Sequence, residues 1–331
     1  MTLLVLVAFL CLAVYAWGHG FEDHVGASDV PDNVRFRVLR DKDMLAEIAS
    51  RNSSESHRRL TIDYWASIKE HVTQQKLHEL AHKHIAGYAT SRPFPHMVAE
   101  DIFPQEVLEA ANLEIPDNPE NNGDGCVHGA RCYNGKVTER SKNAWFNQQS
   151  MGPATQAILT FMKSQLFVHF LERITGIEEI VPDAQLIGGG IHQTLSGGFL
   201  SVHADFNKGN VGMHRRVNVF LYLNPDWKDE YGGHLELWSR DLQRCEARIS
   251  PDLGKLTVFS STDFSYHGHQ NPLTCPENRS RRSLAVYYYS KTRPSHECLN
   301  NDCDETTHSA LWQTTLCPSC KDDRKCYHAT A

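Results

Sequence analysis

Two histidine–carboxylate groupings in this chain have spacings that bind metal ions. His78-Glu79-Leu80-Ala81-His82 matches the H-E-x-x-H pattern. On a helix, histidines four apart share a face and can hold zinc, with Glu79 as the general base of a metalloprotease. The second grouping, His203-Ala204-Asp205, ends a strand-like run, Gly198-Phe199-Leu200-Ser201-Val202. Residues i and i+2 of a strand point to one side, so one imidazole and one carboxylate converge there. A second histidine then has to come from elsewhere in the fold, and Tyr266-His267-Gly268-His269, after the apolar run Leu256-Thr257-Val258-Phe259, offers two. Two histidines and one carboxylate on one face of an octahedral iron leave three positions, two for a chelating co-substrate and one for dioxygen. Non-haem Fe(II) oxygenases use that geometry.

The surroundings separate the two groupings. Lys76 and Lys83 flank the H-E-x-x-H closely, whereas a buried protease helix is uncharged near its motif. Its extended form also needs Gly and His where Ile85 and Tyr88 stand. His78, Glu79 and His82 therefore read as a solvated helix face, with the zinc protease as the alternative. The second grouping is strengthened by a cation further along the chain. A dicarboxylate chelating iron at one end needs a cation at the other, and arginine offers a fork that matches a carboxylate bidentately. Arg281, fourteen residues after His267, fills that role, and Ser283 adds a hydroxyl on the same strand face. Arg282 points the opposite way and reads as a solvated strand-edge charge. Asn218, in the run Arg215 to Asn224, is either a pocket residue or a satisfied strand amide. Tyr222, Trp238 and Tyr287 read as barrel core.

The elements that must position these groups can be placed by periodicity. Leu60 to about Ala89 carries apolar residues at helical spacing and reads as one helix or a helical pair, ended by Arg92-Pro93-Phe94-Pro95. His96-Met97-Val98 is a short strand, and Asp101 to Glu114 is helical. Residues 116–143 form a long polar loop, functional or mobile by its length. Helices at 153–163 and 164–175 come next, the second capped by Ser164 and closed at Gly176. Beyond Pro182 the pattern changes to short strands: Ala184 to Ile187, Gly190 to Leu195, Phe199 to His203, Arg216 to Leu223, His234 to Trp238, Leu256 to Phe259 and Leu284 to Tyr289. The class is mainly β with flanking helices (α+β), a sandwich or barrel with N-terminal helices.

Several blocks taken together carry a resemblance. HADFN, RRVNVFLYLNPDW, YGGHLELW, YHGHQNPLTCP and RRSLAVYYY resemble the 2-oxoglutarate and Fe(II)-dependent dioxygenase superfamily, and its prolyl 4-hydroxylase-like branch most. FPHMVAEDIFPQEV, MGPATQAILTFM and IGGGIHQTLSGGFL extend the likeness over about 94–293. The resemblance implies a double-stranded β-helix (jelly-roll) core. It implies His203, Asp205 and His267 as ligands of Fe(2+), and Arg281 as the anchor of 2-oxoglutarate. His269 competes with His267, which is preferred because the branch places its distal ligand before this glycine. It implies hydroxylation of a C–H bond, a prolyl residue of a peptide or protein, coupled to decarboxylation of 2-oxoglutarate to succinate and CO2. Dioxygen is consumed and L-ascorbate keeps the iron reduced. The branch's tyrosine three residues before H-x-D is Leu200 here, so an aromatic hydroxyl toward the co-substrate has to come from elsewhere or be absent.

Composition limits the remaining readings. The chain has 331 residues, 40% hydrophobic and 22% charged, with a net charge of −7. That is globular composition, and the negative balance argues against a nucleic-acid partner, which needs a basic face. Leu3 to Trp17 is an uncharged apolar run, too short to span a bilayer stably, and reads as a signal peptide, with a short signal-anchor as the alternative. Entry to the secretory pathway, either the endoplasmic reticulum lumen or export, makes the other nine cysteines a disulfide question. Nine is odd, which leaves one thiol unpaired or bound to another chain. Cys126 and Cys132 are placed to bridge and stiffen a flap. Cys298, Cys303, Cys317, Cys320 and Cys326 form a cysteine-rich tail, with disulfides, zinc and a redox dithiol as the readings. Asn52 and Asn278 are glycosylation acceptors by sequence. The expected organisation is a signal at 1–17, a polar linker at 18–59, a helical segment at 60–92, the dioxygenase domain at 93–296 and the tail at 297–331. A secreted, non-catalytic binding module is the remaining alternative.

Overall fold

The computed structural model describes residues 63–116, 125–127, 129–135, 137–209, 212–303 and 307–313. The apolar N-terminal run, the polar linker, Asn52 and the cysteines from Cys317 onward lie outside the described residues.

Local sequence sets the helix limits. Helix α1 (Tyr64–His71) opens on Asp63, whose carboxylate accepts from the Ala66 amide at 3.1 Å. Helix α2 (Gln74–Tyr88) opens on Thr73 in the same way, so the Leu60–Ala89 stretch is a pair. Strand β1 (His96–Ala99) and helix α3 (Gln105–Leu113) come next. Part of the stretch expected as loop, 116–143, is instead a hairpin of β2 (Arg131–Tyr133) and β3 (Glu139–Trp145). Its polar composition hid it, because only Asn143 and Ala144 of β3 are fully buried. Helix α4 (Pro153–Met162) begins with proline, and its next two amides donate to the Glu114 carboxylate at 2.7 and 2.8 Å. Helix α5 (Gln165–Thr175) runs from the Ser164 cap to Gly176, which adopts φ +68°.

The rest is sheet: β4 (Val181–Pro182), β5 (Gly190–Ala204), β6 (His214–Tyr222), β7 (Leu235–Trp238), β8 (Cys245–Ile249), β9 (Leu256–Ser260), β10 (His267–His269), β11 (Ser280–Ser290) and β12 (Leu311–Trp312). Hydrogen bonding orders them β1-β9-β6-β11-β5-β10-β7-β8, all antiparallel, with β3 and β12 also on β5 and β4 on β11. The result is a nearly closed, jelly-roll-like barrel flanked, among the described residues, by five α-helices. Gly190 to Leu195 and Phe199 to His203 are one 15-residue strand rather than two. At its middle, a Cβ on Gly198 would lie 2.7 Å from the Arg140 carbonyl, so only glycine lets β3 approach there. The expected strand Ala184–Ile187 is a turn, and pairing falls on Val181–Pro182 instead. Strands β10 and β12, of three and two residues, are too short to announce themselves.

Alternation divides the barrel wall. Val217, Val219 and Leu221 of β6, Leu256 and Val258 of β9, and Leu284, Val286 and Tyr288 of β11 join one apolar cluster with all five helices. The alternate residues, including Asn218, Tyr222, Arg281, Ser283 and Tyr287, take the other face, toward the barrel interior. Disulfides join Cys126 to Cys132 and Cys298 to Cys303, while Cys245 and Cys275 are buried outside these two bridges.

Candidate metal centre

The long strand β5 carries His203 at its end, and β10 pairs with it so that His267 lies directly opposite. The approach is close because residue 268 is glycine: a Cβ there would meet the Leu200 and Ser201 carbonyls at 2.9 Å. The two imidazole centroids are 4.6 Å apart, with the ring planes tilted by 44°. Asp205, just past the strand, sets its two oxygens 3.6 Å from His203 Nε2 and 3.5 Å from His267 Nε2. The three ligand atoms lie within 4.8 Å of one another, and no other metal-capable cluster forms among the described residues.

Hydrogen bonds fix which ring nitrogen faces inward. His203 Nδ1 donates to the Ser201 carbonyl and His267 Nδ1 to the Ser265 carbonyl, both at 2.9 Å. Both Nε2 atoms therefore present lone pairs to the point that Asp205 also faces. Burial pulls His267 down to about 4, which keeps it neutral. Burial alone would raise the Asp205 carboxyl, but Arg215 and then the two histidines hold it well below the usual carboxylate range. The two Nε2 lone pairs and the Asp205 carboxylate thus converge, all three buried, on one point. This N2O donor set fits Fe(II) with open coordination positions.

A further pair orients the carboxylate. Asn218 Nδ2 donates to Asp205 Oδ2 at 2.7 Å, and an Arg215 terminal nitrogen lies 2.9 Å from the same oxygen. Arg215 Nε also donates to Asn218 Oδ1 at 2.8 Å, so the two residues brace each other. Asn218 thus holds the carboxylate, a role neither sequence reading gave it. Asn218→Ala should weaken iron binding about 10- to 100-fold, the usual cost of losing such a support. The check is the Fe(II) concentration for half-maximal turnover, with the KM for 2-oxoglutarate unchanged.

Arg281 and Ser283 line the same cavity of about 180 Å³ as the three ligands. Arg281 Nε donates to the Gly233 carbonyl at 2.5 Å, which fixes the guanidinium and leaves its two terminal nitrogens as the fork. Its carbon sits 5.0 Å from the Tyr222 ring centroid. Burial raises the Tyr222 hydroxyl, against the pull of Arg281, so it stays a protonated donor. An aromatic hydroxyl is therefore present in this corner although Leu200 supplies none. Tyr222 and Tyr287 line the cavity, while Trp238 packs in the core with Val202 and Ala204. Lys142, which sequence reasoning missed inside the supposed loop, adds a third cation to the lining with Arg215 and Arg281. Burial pulls its ammonium down to about 8, against the attraction of Glu139 and Asp205. Lys142, Arg215 and Arg281 outnumber the lining carboxylates Glu139 and Asp205, which suits an anionic ligand.

Other expectations separate here. His269 is displaced by a register shift after His267; it lines the cavity without joining the ligand cluster. Arg282 does point away from the site, but it is not solvated. It is 2% exposed on the helix side and donates to Asn112 Oδ1 at 2.7 Å. His78, Glu79 and His82 are exposed on α2, where Glu79 accepts from Gln75, and they form no metal cluster. That exposed face agrees with the solvated-helix reading and does not favour the zinc-protease alternative.

Residues 189–289 match the family model of the 2OG-Fe(II) oxygenase superfamily. No curated protein sequence matches the chain. Among solved structures, a Pseudomonas putida prolyl-4-hydroxylase is similar at 18% identity and a TM-score of 0.45, covering 63% of this chain and 98% of that one. A Trichoplax adhaerens prolyl hydroxylase, in complex with a hypoxia inducible factor peptide fragment, is similar at 15% and 0.42, covering 65% and 91%. Streptomyces hygroscopicus HygX, with nickel, 2-oxoglutarate and hygromycin B bound, is similar at 10% and 0.35, covering 60% and 83%. The matched residues 189–289 include His203, Asp205, His267 and Arg281, so the part of the chain that is similar to the 2OG-Fe(II) oxygenase superfamily is the part that builds this centre.

Proposed function

We propose that the chain hydroxylates a prolyl residue of a peptide or protein, with decarboxylation of 2-oxoglutarate to succinate and CO2. The observation that carries the reading is the convergence of His203, Asp205 and His267 in one cavity with Arg281. In this reading those three residues hold Fe(II), which when bound supplies the dioxygen-activating redox chemistry. Arg281, with Ser283 and Tyr222 beside it, takes the far carboxylate of 2-oxoglutarate. Arg215 and Asn218 keep Asp205 ionised and aimed. The prolyl target is supported by the sequence blocks shared with the prolyl 4-hydroxylase-like branch. Ascorbate as reductant, work in the secretory pathway and glycosylation at Asn278, an exposed residue before β11, belong to the same proposal.

With Fe(II), 2-oxoglutarate and ascorbate, a panel of proline-containing peptides should raise succinate formation, and the stimulating peptides should gain the mass of one oxygen atom on proline. Succinate formation with no oxygen gained on any prolyl peptide would sink the prolyl assignment and leave the oxygenase chemistry standing.

A further inference from the structure

Residues 307–313 run beside the site, and the last three of them pair with the strand that carries His203. Leu311 and Trp312 lie antiparallel to Ala204 and His203, and the Gln313 amide donates to the Val202 carbonyl at 2.8 Å. Upstream, the His308 amide donates to Asn207 Oδ1 at 3.0 Å, and the His308 ring lies 3.0 Å from Asp263 Oδ1. The Trp312 ring lies against His203 with centroids 4.6 Å apart and planes tilted by 31°, and Ala310 and Trp312 line the same cavity as His203, Asp205 and His267.

The ladder specifies what any chain in this position would do. In an antiparallel pair, residues alternate between those that exchange hydrogen bonds with the partner and those that do not. Because Gln313 donates to Val202, Gln313 and Leu311 turn their backbone groups toward β5. Trp312 turns its own away and sets its side chain beside that of His203. A strand on this edge therefore delivers one side chain to the ligand histidine and requires no N–H from that residue. Proline is tolerated in a ladder only where its missing N–H is not needed.

We propose that the β5 edge at Val202–Ala204 is the docking site of an extended peptide substrate, whose reacting residue takes the place of Trp312, and that residues 311–313 occupy this edge until a peptide displaces them. The inference rests on the peptide-substrate reading above.

The test uses a dye-labelled peptide, Thr-His-Ser-Ala-Leu-Pro-Gln, which is the segment's own sequence with proline at the Trp312 position. Its binding to the full-length, metal-free protein is followed by fluorescence anisotropy. Gln313→Pro removes the amide that holds the segment and should tighten peptide binding about tenfold, the worth of one such hydrogen bond. Gln313→Ala keeps the amide and should match the parent protein. Equal affinity for the parent and Gln313→Pro, or no saturable binding to either, would overturn the proposal. This binding is read without metal, so its failure is distinct from a failure of the oxygenase chemistry.

Discussion

His267→Ala should abolish succinate formation from 2-oxoglutarate, with or without a peptide, while leaving the fold intact. Each ligand supplies one of only three protein donors, and the residual pair would have to hold iron with an extra open position. The choice of residue matters for the reading. Asp205→Ala should also abolish turnover, but it strips the partner from Arg215, whose side chain is 1% exposed. An uncompensated buried charge costs about 3–5 kcal/mol, so that variant should lose stability as well. His267→Ala leaves Asp205, Arg215 and Asn218 bonded to one another. Succinate assays and denaturant midpoints on both variants separate the two effects. Equal destabilisation of both, or residual turnover in His267→Ala, would contradict the ligand assignment.

Arg281→Ala should raise the KM for 2-oxoglutarate about a hundredfold with little change in iron affinity. Truncating one partner of a buried charge pair costs about 2–5 kcal/mol, and about 2.7 kcal/mol corresponds to that factor. Arg281→Lys should fall between. The Arg281 Nε is committed to Gly233, and only a planar fork can keep that bond while gripping a carboxylate; lysine offers one point charge. Tyr222 and Ser283 remain in the corner and keep part of the affinity. The measurement is kcat and KM over a 2-oxoglutarate series. An unchanged KM for the alanine variant would remove Arg281 from the co-substrate site.

Most of the centre could be read from spacing because β-strands make it local. His203 and Asp205 are two residues apart at a strand end, and Arg281 and Ser283 share a strand face, so period two alone places each pair. His267 needed the resemblance, since nothing in the sequence says that β10 lies against β5. The supports were harder to see. Arg215 and Asn218 stand in a run that reads as ordinary strand, and their partner is Asp205, ten and thirteen residues earlier in sequence. Lys142 was hidden because β3 is polar and half-exposed and resembles loop. Arg282 shows a limit of the same kind. Alternation gave its direction, but its burial depends on Asn112 at the end of α3, a contact made only in the assembled fold. Trp312 sits in a stretch whose cysteines draw attention away from two residues of strand. The exposed H-E-x-x-H shows the converse, because a spacing that suits zinc on a helix has no effect without a third ligand and a buried face.

His203, Asp205 and His267 are proposed to bind Fe(II) in one cavity with an anchored 2-oxoglutarate. Anaerobic titration of the protein with Fe(II) and 2-oxoglutarate tests it most directly, through the metal-to-ligand charge-transfer absorption of the chelate. A saturable band with one iron per chain is expected, lost in His267→Ala and shifted to higher 2-oxoglutarate concentration in Arg281→Ala. Absence of the band in the parent protein, or its persistence in His267→Ala, would contradict it.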